Sequence, residues 1–485
     1  MTSARRLVSD SAIYGLGGVA NQALAVVLVP IYANVLGVEN FGVMAIVNTT
    51  LSLATTTVTL ALPQAFFRSY LMEHDEVAGR AHVLSTALGL RLLVSLAGLA
   101  LLLLLALPLT RLLFGDSSQL LVLLAIGPIV FCDTLNLMPL SVLRAERQPA
   151  AYAALSFSRA VLGSVMIIVF VVGFRLGVLG VVLGALVAAA TVAAAGMAVL
   201  ARAGRVGLAI DRALARHMLA FSLPLVPASI AGWTLNLSDR YLVGAFLGHA
   251  AVGVYAAGYT IGLVINALVV APFSLAWGAT FWQISKAPRA PEIYARVMAG
   301  FVLAASFVAL FLSAFSTDAL RLLFAPAFEA GRFVVPFSAF AYVLYGVYTI
   351  GSTGLNIEGR TRALPVTTGA AAVANVALNL ALIPWLGYLG AAVATVLSYG
   401  ALAISTTLVS QRHYPVPWHW LRMAATMGLA GALAAAALLG PDHVAWRVGC
   451  VLAYPVFALV TGIVRRDDLD AVFTSLRRRA GPPTG

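Results

Sequence analysis

VLSTALGLRLLVSLAGLALLLLLAL, residues 83–107, carries a single charge, Arg91. The hydrocarbon core of a bilayer is about 30 Å thick, so a helix needs roughly 20 mostly apolar residues to cross it. This stretch therefore reads as a membrane-spanning helix. Working outward, windows of the same kind recur along nearly the whole chain, separated by Gly, Pro and charge clusters. They give fourteen spans, at about 10–34, 43–63, 83–107, 119–139, 151–173, 177–200, 221–246, 251–275, 295–317, 333–353, 364–383, 387–409, 420–439 and 445–464. The composition agrees: 61% of the 485 residues are hydrophobic and 10% charged, against about 25% charged in soluble domains. A water-soluble fold is excluded, and the expectation is an all-α integral membrane protein. Cys132 and Cys450 both fall inside apolar windows and point to no disulfide framework or metal site. Arg5 and Arg6 precede an apolar stretch, Ser11 to Leu36, too long for a signal-peptide core, so it reads as the first span.

The basic residues orient the spans. The chain has 30 Lys and Arg against 18 Asp and Glu, a net charge of +12, and Lys286 is its one lysine. In a membrane protein this excess points to topology signals and anionic head groups, not to nucleic acid. Counted by alternate sides, 22 basic residues lie with the termini and every second loop, five lie on the other side, and Arg91, Arg159 and Arg240 lie within spans. Cytoplasmic loops retain Lys and Arg, which places both termini in the cytoplasm.

The chain also repeats itself at a nearly constant offset. Arg111-Leu112-Leu113-Phe114 recurs as Arg321-Leu322-Leu323-Phe324, and Leu176-Gly177-Val178-Leu179-Gly180 as Leu386-Gly387-Tyr388-Leu389-Gly390. Leu36-Gly37 followed by Phe41-Gly42 returns as Leu247-Gly248 followed by Val252-Gly253, and Leu143-Arg144-Ala145-Glu146 matches Leu355-Asn356-Ile357-Glu358. Six spans per repeat bring both copies into the membrane in one orientation, related by a parallel pseudo-two-fold axis along the membrane normal. The expected organisation is an N-lobe at 1–205, a C-lobe at 206–415, two further helices at 416–464 and a basic cytoplasmic tail at 465–485.

The first span and its exit, from Asn21 through Pro30 to Leu36-Gly37-Val38-Glu39-Asn40-Phe41-Gly42, resemble the opening of the polysaccharide transporter family, the O-antigen flippases. Leu62-Pro63-Gln64-Ala65-Phe66-Phe67-Arg68 continues the match. It is closest at Pro224 and from Trp233 through Asp239-Arg240-Tyr241-Leu242-Val243-Gly244 and Leu247-Gly248 to Val252-Gly253-Val254-Tyr255. The family lies in the multidrug/oligosaccharidyl-lipid/polysaccharide exporter superfamily, and the resemblance covers the full chain. It implies a non-enzymatic flippase of the inner (plasma) membrane that turns an undecaprenyl-diphosphate-linked oligosaccharide to the outer leaflet by alternating access. It implies a monomer among membrane lipids, with a polysaccharide polymerase as a candidate neighbour, and no bound cofactor. Coupling to H+ or Na+ stays open. No Gly-x-x-x-x-Gly-Lys-Ser/Thr loop occurs in the chain.

A diphosphate needs cations in a low-dielectric interior, and guanidinium suits it better than ammonium. Charges inside spans are costly enough that each is a candidate. Arg91 and Arg159 lie about eight residues from the cytoplasmic ends of their spans, roughly 12 Å deep at 1.5 Å per residue. With Asp133 they form an expected layer in the first lobe, in which Asp133 serves as the structural partner of an arginine. Arg68, the Arg of the family motif, is expected at the outer end of span 2, to receive the diphosphate or hold a lipid phosphate. Asp239 and Arg240 point about 100° apart on a helix and are not expected to neutralise each other. Either is a candidate cavity residue, and Asp239 a candidate for a coupling ion or a helix-to-helix salt bridge. Asn21 and Gln22 are candidates for sugar binding or helix packing, and Pro30, Pro224 and Pro227 for hinges.

Gly15-Leu16-Gly17-Gly18, inside a span with no preceding strand, reads as helix packing and not as a dinucleotide loop. Asp467-Asp468-Leu469-Asp470, in the charged tail, reads as a solvated helix start. The competing functions are a multidrug exporter, which should present carboxylates in its cavity; a peptidoglycan-precursor flippase; and a membrane polymerase or glycosyltransferase. The last needs a sizeable outer loop with paired carboxylates, and no such loop is present.

Overall fold

The computed structural model describes residues 2–73, 77–202 and 207–460, with side chains described for 28–71, 79–202, 207–278 and 280–459. Within these residues the chain is all helix and loop. The helices are α1 (Thr2–Thr59), α2 (Leu62–Arg68), α3 (Val77–Phe114), α4 (Leu120–Ala145), α5 (Pro149–Ile168), α6 (Gly177–Arg202), α7 (Arg212–Ser222), α8 (Val226–Leu237), α9 (Asp239–Leu247) and α10 (His249–Ile265). They continue as α11 (Ala271–Ile284), α12 (Ala290–Ala314), α13 (Ser316–Leu323), α14 (Val335–Gly351), α15 (Thr353–Ile357), α16 (Ala363–Leu386), α17 (Tyr388–Gln411), α18 (Trp420–Leu439) and α19 (Val444–Val460). Among the described residues eleven helices are long and apolar enough to cross a membrane, or twelve if the bent pair Pro326–Phe333 and Val335–Ile357 is one span. Large apolar side chains such as Leu104, Leu322, Val373 and Leu421 lie on the outside, while alanines such as Ala33, Ala188, Ala305 and Ala391 fill the contacts between helices. That inversion is expected where lipid replaces water: helices associate through close packing of small residues, and large apolar ones face the acyl chains.

Helices α3, α4, α5 and α6 pack against one another and α1; α8, α10, α12, α14, α16 and α17 form a second group; α18 and α19 lie on α12. The two groups meet where α1 crosses α10. There the repeat becomes visible in the backbone. Gly37 (φ 73°, ψ 172°) interrupts α1, and its counterpart in the second repeat, Gly248 (φ 80°, ψ 174°), separates α9 from α10. Both hold a left-handed conformation that favours glycine. Positive φ also recurs at Gly177 and Gly387, and at Arg147 and Gly359.

The contact between the repeats is reciprocal. A Cβ on Gly42 would lie 1.8 Å from the His249 carbonyl oxygen, and one on Gly253 would lie 2.1 Å from that of Val38. Gly253 and His249 are the repeat counterparts of Gly42 and Val38, so each repeat makes on the other the contact it receives. Around them Phe41 packs on Phe328, with ring centres 5.5 Å apart, and on Phe324. The Asn34 amide donates to the Leu323 carbonyl (3.0 Å) and accepts from the Ala325 N–H (2.7 Å). In the mirrored position the His249 ring lies 5.4 Å from that of Phe114. The repeated Arg-Leu-Leu-Phe segments thus each touch the opposite repeat.

Of the expected hinges, Pro224 lies in the 3-10 turn Leu223–Leu225 and Pro227 in the first turn of α8, so both sit where α7 passes into α8. Pro30 does not mark the break in α1: it lies inside continuous helix, and the interruption is at Gly37. Glycine supplies a positive φ that proline cannot adopt.

Candidate functional site

The part of α1 beyond Gly37 carries Asn48, Ser52, Thr55, Thr56 and Thr59. They stand at positions i, i+4, i+7, i+8 and i+11, which share one side of a helix. They line a cavity of about 530 Å³ with Leu51, Ala61, Pro63 and Gln64 from the same stretch of chain, Asp133 and Leu137 from α4, and Ser229 from α8. The cavity therefore takes residues from both repeats. Thr55 and Ser229 donate their hydroxyl hydrogens to the carbonyls of Leu51 (2.8 Å) and Leu225 (3.2 Å), leaving lone pairs to accept. The cavity lies toward the end of the molecule that carries the basic loops, and the reciprocal glycine contact lies toward the opposite end.

Asp133 is the one charged residue of that lining. Both its oxygens are occupied by Arg159, from Nε at 2.8 Å and Nη2 at 3.0 Å. This two-toothed geometry is the strong form of the carboxylate–guanidinium pair. Asp133 thus has the arginine partner expected for it, and the pair presents no net charge to the cavity.

Arg91 does not join that layer. It is fully buried, and its Nη1 donates to the carbonyls of Thr59 (3.2 Å) and Val58 (3.4 Å). Those carbonyls end α1, where the helix leaves through Leu60 and Ala61, both with positive φ (48° and 52°). Arg91 therefore caps a helix C-terminus, where unsatisfied carbonyls and the helix dipole favour a cation. Equal depth in two spans says nothing about direction around each helix, and the two arginines point to different places.

Arg68 does not lie at an outer end. Its guanidinium stacks 4.9 Å over the Phe221 ring of α7, Arg144 lies over Phe67, and Tyr70 donates to Glu146 (3.2 Å). These neighbours belong to α7 and to the end of α4 with the turn that follows it, which hold Arg144, Arg147, Arg212 and Arg216, so Arg68 is at the basic end. On the expected order of spans, the second returns the chain to the side on which it started.

Asp239 and Arg240 do pair directly, contrary to the helical-wheel expectation: Arg240 Nη1 is 2.7 Å from Asp239 Oδ1. The wheel describes Cβ directions, whereas an arginine is long enough to curl back, and helix is interrupted at Ser238 between α8 and α9. The same Nη1 donates to the Asn236 carbonyl (2.7 Å), and the guanidinium lies 4.4 Å over the Tyr259 ring. The other Asp239 oxygen accepts from the Tyr255 hydroxyl. Tyr259, Tyr342 and Tyr399 complete an aromatic shell, and Tyr399 donates to the Asn236 side chain (2.7 Å). The pair is buried inside the second repeat and outside the cavity lining. Asn21 and Gln22 lie in α1, with side chains outside the described residues.

A search on charge alone passes over the hydroxyl stripe, although its signal is present: 48–60 reads NTTLSLATTTVTL, a polar face in an otherwise apolar helix.

A family model described as polysaccharide biosynthesis protein matches residues 7–285. No curated protein sequence matches the chain. Among solved structures it is similar to the lipid II flippase MurJ in an inward closed conformation, with TM-score 0.74 at 14% identity over 92% of this chain and 99% of that one. It is similar to a multidrug resistance MATE family transporter in an inward-facing conformation, with TM-score 0.67 at 16% identity over 83% and 95%. A MATE structure in complex with MaL6 gives 0.62 at 15% over 87% and 96%. At these identities the likeness is one of fold.

Proposed function

For this chain, which belongs to the polysaccharide biosynthesis protein family, we propose the role of a flippase that carries an undecaprenyl-diphosphate-linked oligosaccharide from the inner to the outer leaflet of the cell membrane. The observation that carries this reading is a polar cavity in an apolar bundle, lined by the first repeat and by Ser229 of the second near the basic end, with the reciprocal glycine contact toward the other end. A cavity that is polar inside suits a hydrophilic head group whose lipid tail stays in the bilayer. Counting α1 as two spans, divided at Gly37, and α19 as one raises twelve spans to fourteen, with both termini and the basic loops cytoplasmic. The two six-span lobes then rock about the α1–α10 contact. Arg68, at the exposed cytoplasmic end of α2 and one turn beyond the cavity residue Gln64, is the proposed first contact for the diphosphate. Arg91 and Arg240 are assigned to holding the two lobes in shape. Coupling to a proton or sodium gradient belongs to the proposal. Asp239 would take part only if its pair with Arg240 opened.

The fold likeness to MurJ favours a second reading, in which the lipid-linked sugar is a peptidoglycan precursor. The multidrug reading is disfavoured because the cavity carboxylate, which a cationic drug would need, is already held by Arg159. The test is a proteoliposome assay that follows the movement of fluorescent undecaprenyl-diphosphate oligosaccharide, lipid II and a cationic dye in parallel. Movement of the first alone supports the proposal; lipid II alone selects the second reading; the dye alone rejects both.

A further inference from the structure

Binding cavities of about 300–1,000 Å³ are as a rule lined by apolar and aromatic side chains with a few polar groups. This one departs from the rule. Eight of its twelve lining residues carry a hydroxyl, amide or carboxyl group, and none is aromatic. Inside a membrane such a lining is retained only where something polar occupies the space. The hydroxyls are grouped on one face of α1, at Ser52, Thr55, Thr56 and Thr59, opposite Ser229 of the other repeat. The one charge of the lining, on Asp133, is compensated by Arg159, which holds both its oxygens from behind the lining. A diphosphate finds no free cation in this lining, and neither a uronate nor an ammonium group finds a free counter-charge.

We propose that this cavity is the glycan subsite: it binds uncharged sugar residues through the hydroxyl stripe of α1, with the diphosphate held outside it. The inference rests on the flippase reading and adds what that reading leaves open, the class of sugar and the residues that select it. Threonine and serine hydroxyls both accept and donate, as sugar hydroxyls do. Thr55 and Ser229 spend their hydrogens on backbone carbonyls and so accept from the sugar.

The test uses the full chain in detergent and in proteoliposomes. Titration calorimetry measures binding of an uncharged, lipid-free oligosaccharide and of its uronate-bearing analogue to wild type, to T55V/T59V and to S52A/T56V. Valine has the shape of threonine and suits a lipid-embedded helix, so these variants keep the fold. Each lost hydroxyl contact should weaken binding of the uncharged sugar about fivefold, and the uronate should bind wild type more weakly than the uncharged sugar does. The same preparations are assayed for movement of the lipid-linked form. Equal binding of both sugars, or binding unchanged in both variants, overturns the proposal even if the lipid-linked form is moved. Binding that follows the prediction while no lipid-linked sugar moves leaves the sugar site standing and removes the flippase reading.

Discussion

Gly42→Ala tests the seal between the repeats most directly. The added Cβ would be placed 1.8 Å from the His249 carbonyl oxygen and 2.7 Å from its carbon, both of them backbone atoms that no rotamer change can move. Ordinary carbon contacts lie at about 3.5–4.0 Å, so the helices must separate by well over an ångström at this point. Overpacking of a well-packed contact costs about 1–3 kcal/mol. About 2 kcal/mol corresponds to a factor of roughly 30 in the population of the closed state. The assay is labelling of a Val252→Cys probe, buried beside Gly253, by a membrane-impermeant maleimide from the outer side, with Cys132 and Cys450 replaced by serine. Labelling should quicken by about that factor. Gly253→Ala should act alike, since its Cβ would meet the Val38 carbonyl at 2.1 Å. The double variant should gain less than the sum of the two free energies, because one separation relieves both clashes. Unchanged labelling in either single variant, or full additivity in the double, would refute the idea of one shared two-fold contact.

Removing one partner of the buried pair in the second repeat, by Asp239→Asn or Arg240→Met, should destabilise the fold by about 3–5 kcal/mol, while the double replacement costs less than either; thermal unfolding in detergent reads the difference. At the basic surface, the His82 hydrogen bond, followed by the backbone N–H groups of Leu214 and Ala213, holds the Asp211 carboxyl below its ordinary range. Its support for the start of α7 is therefore fully present above the unfolded carboxylate value and is lost as pH falls through the lower folded value. Amide exchange at Ala213 and Leu214 should quicken on acidification in wild type and be pH-independent, after correction for intrinsic rates, in Asp211→Ala.

The all-helical, multi-span architecture was legible because it rests on long-range averages. Apolar windows long enough to cross a bilayer survive any detail of packing, and the paired positive φ values at Gly37 and Gly248 answer to the sequence repeat directly. Site residues are another matter. Arg91 and Arg159 stand at equal depth, but depth is a count along the helix, whereas function depends on angle around it and on what the neighbouring helix offers. Arg91 found the open carbonyls of Val58 and Thr59; Arg159 found Asp133. The Asp239–Arg240 pair was missed because a wheel treats side chains as short spokes. The hydroxyl stripe was missed because a charge is rare in a span, while threonine commonly returns its hydrogen to the preceding turn, as Thr49 and Thr55 both do.

The cancelled charge of Asp133 and Arg159 leads to a prediction about selectivity that separates the competing functions within one protein. In wild type the pair presents no net charge to the cavity. Asp133→Asn removes the negative member and leaves the guanidinium, a quarter exposed, with its charge uncompensated beside the sugar. A carboxylate on the sugar would then gain a charged hydrogen bond worth about 1.5–3 kcal/mol, or roughly 10- to 150-fold in affinity. Arg159→Met does the reverse: it uncovers the carboxylate, and the cavity should turn toward cations, as the lining of a drug exporter would. Calorimetry with the uronate-bearing oligosaccharide and with a cationic dye reads both changes, and the uncharged sugar serves as the control that moves little in either variant. Opposite gains in the two variants mean that one ion pair sets the charge preference of the path. If both variants simply lose the uncharged sugar, the pair supports the lobe and takes no part in selection.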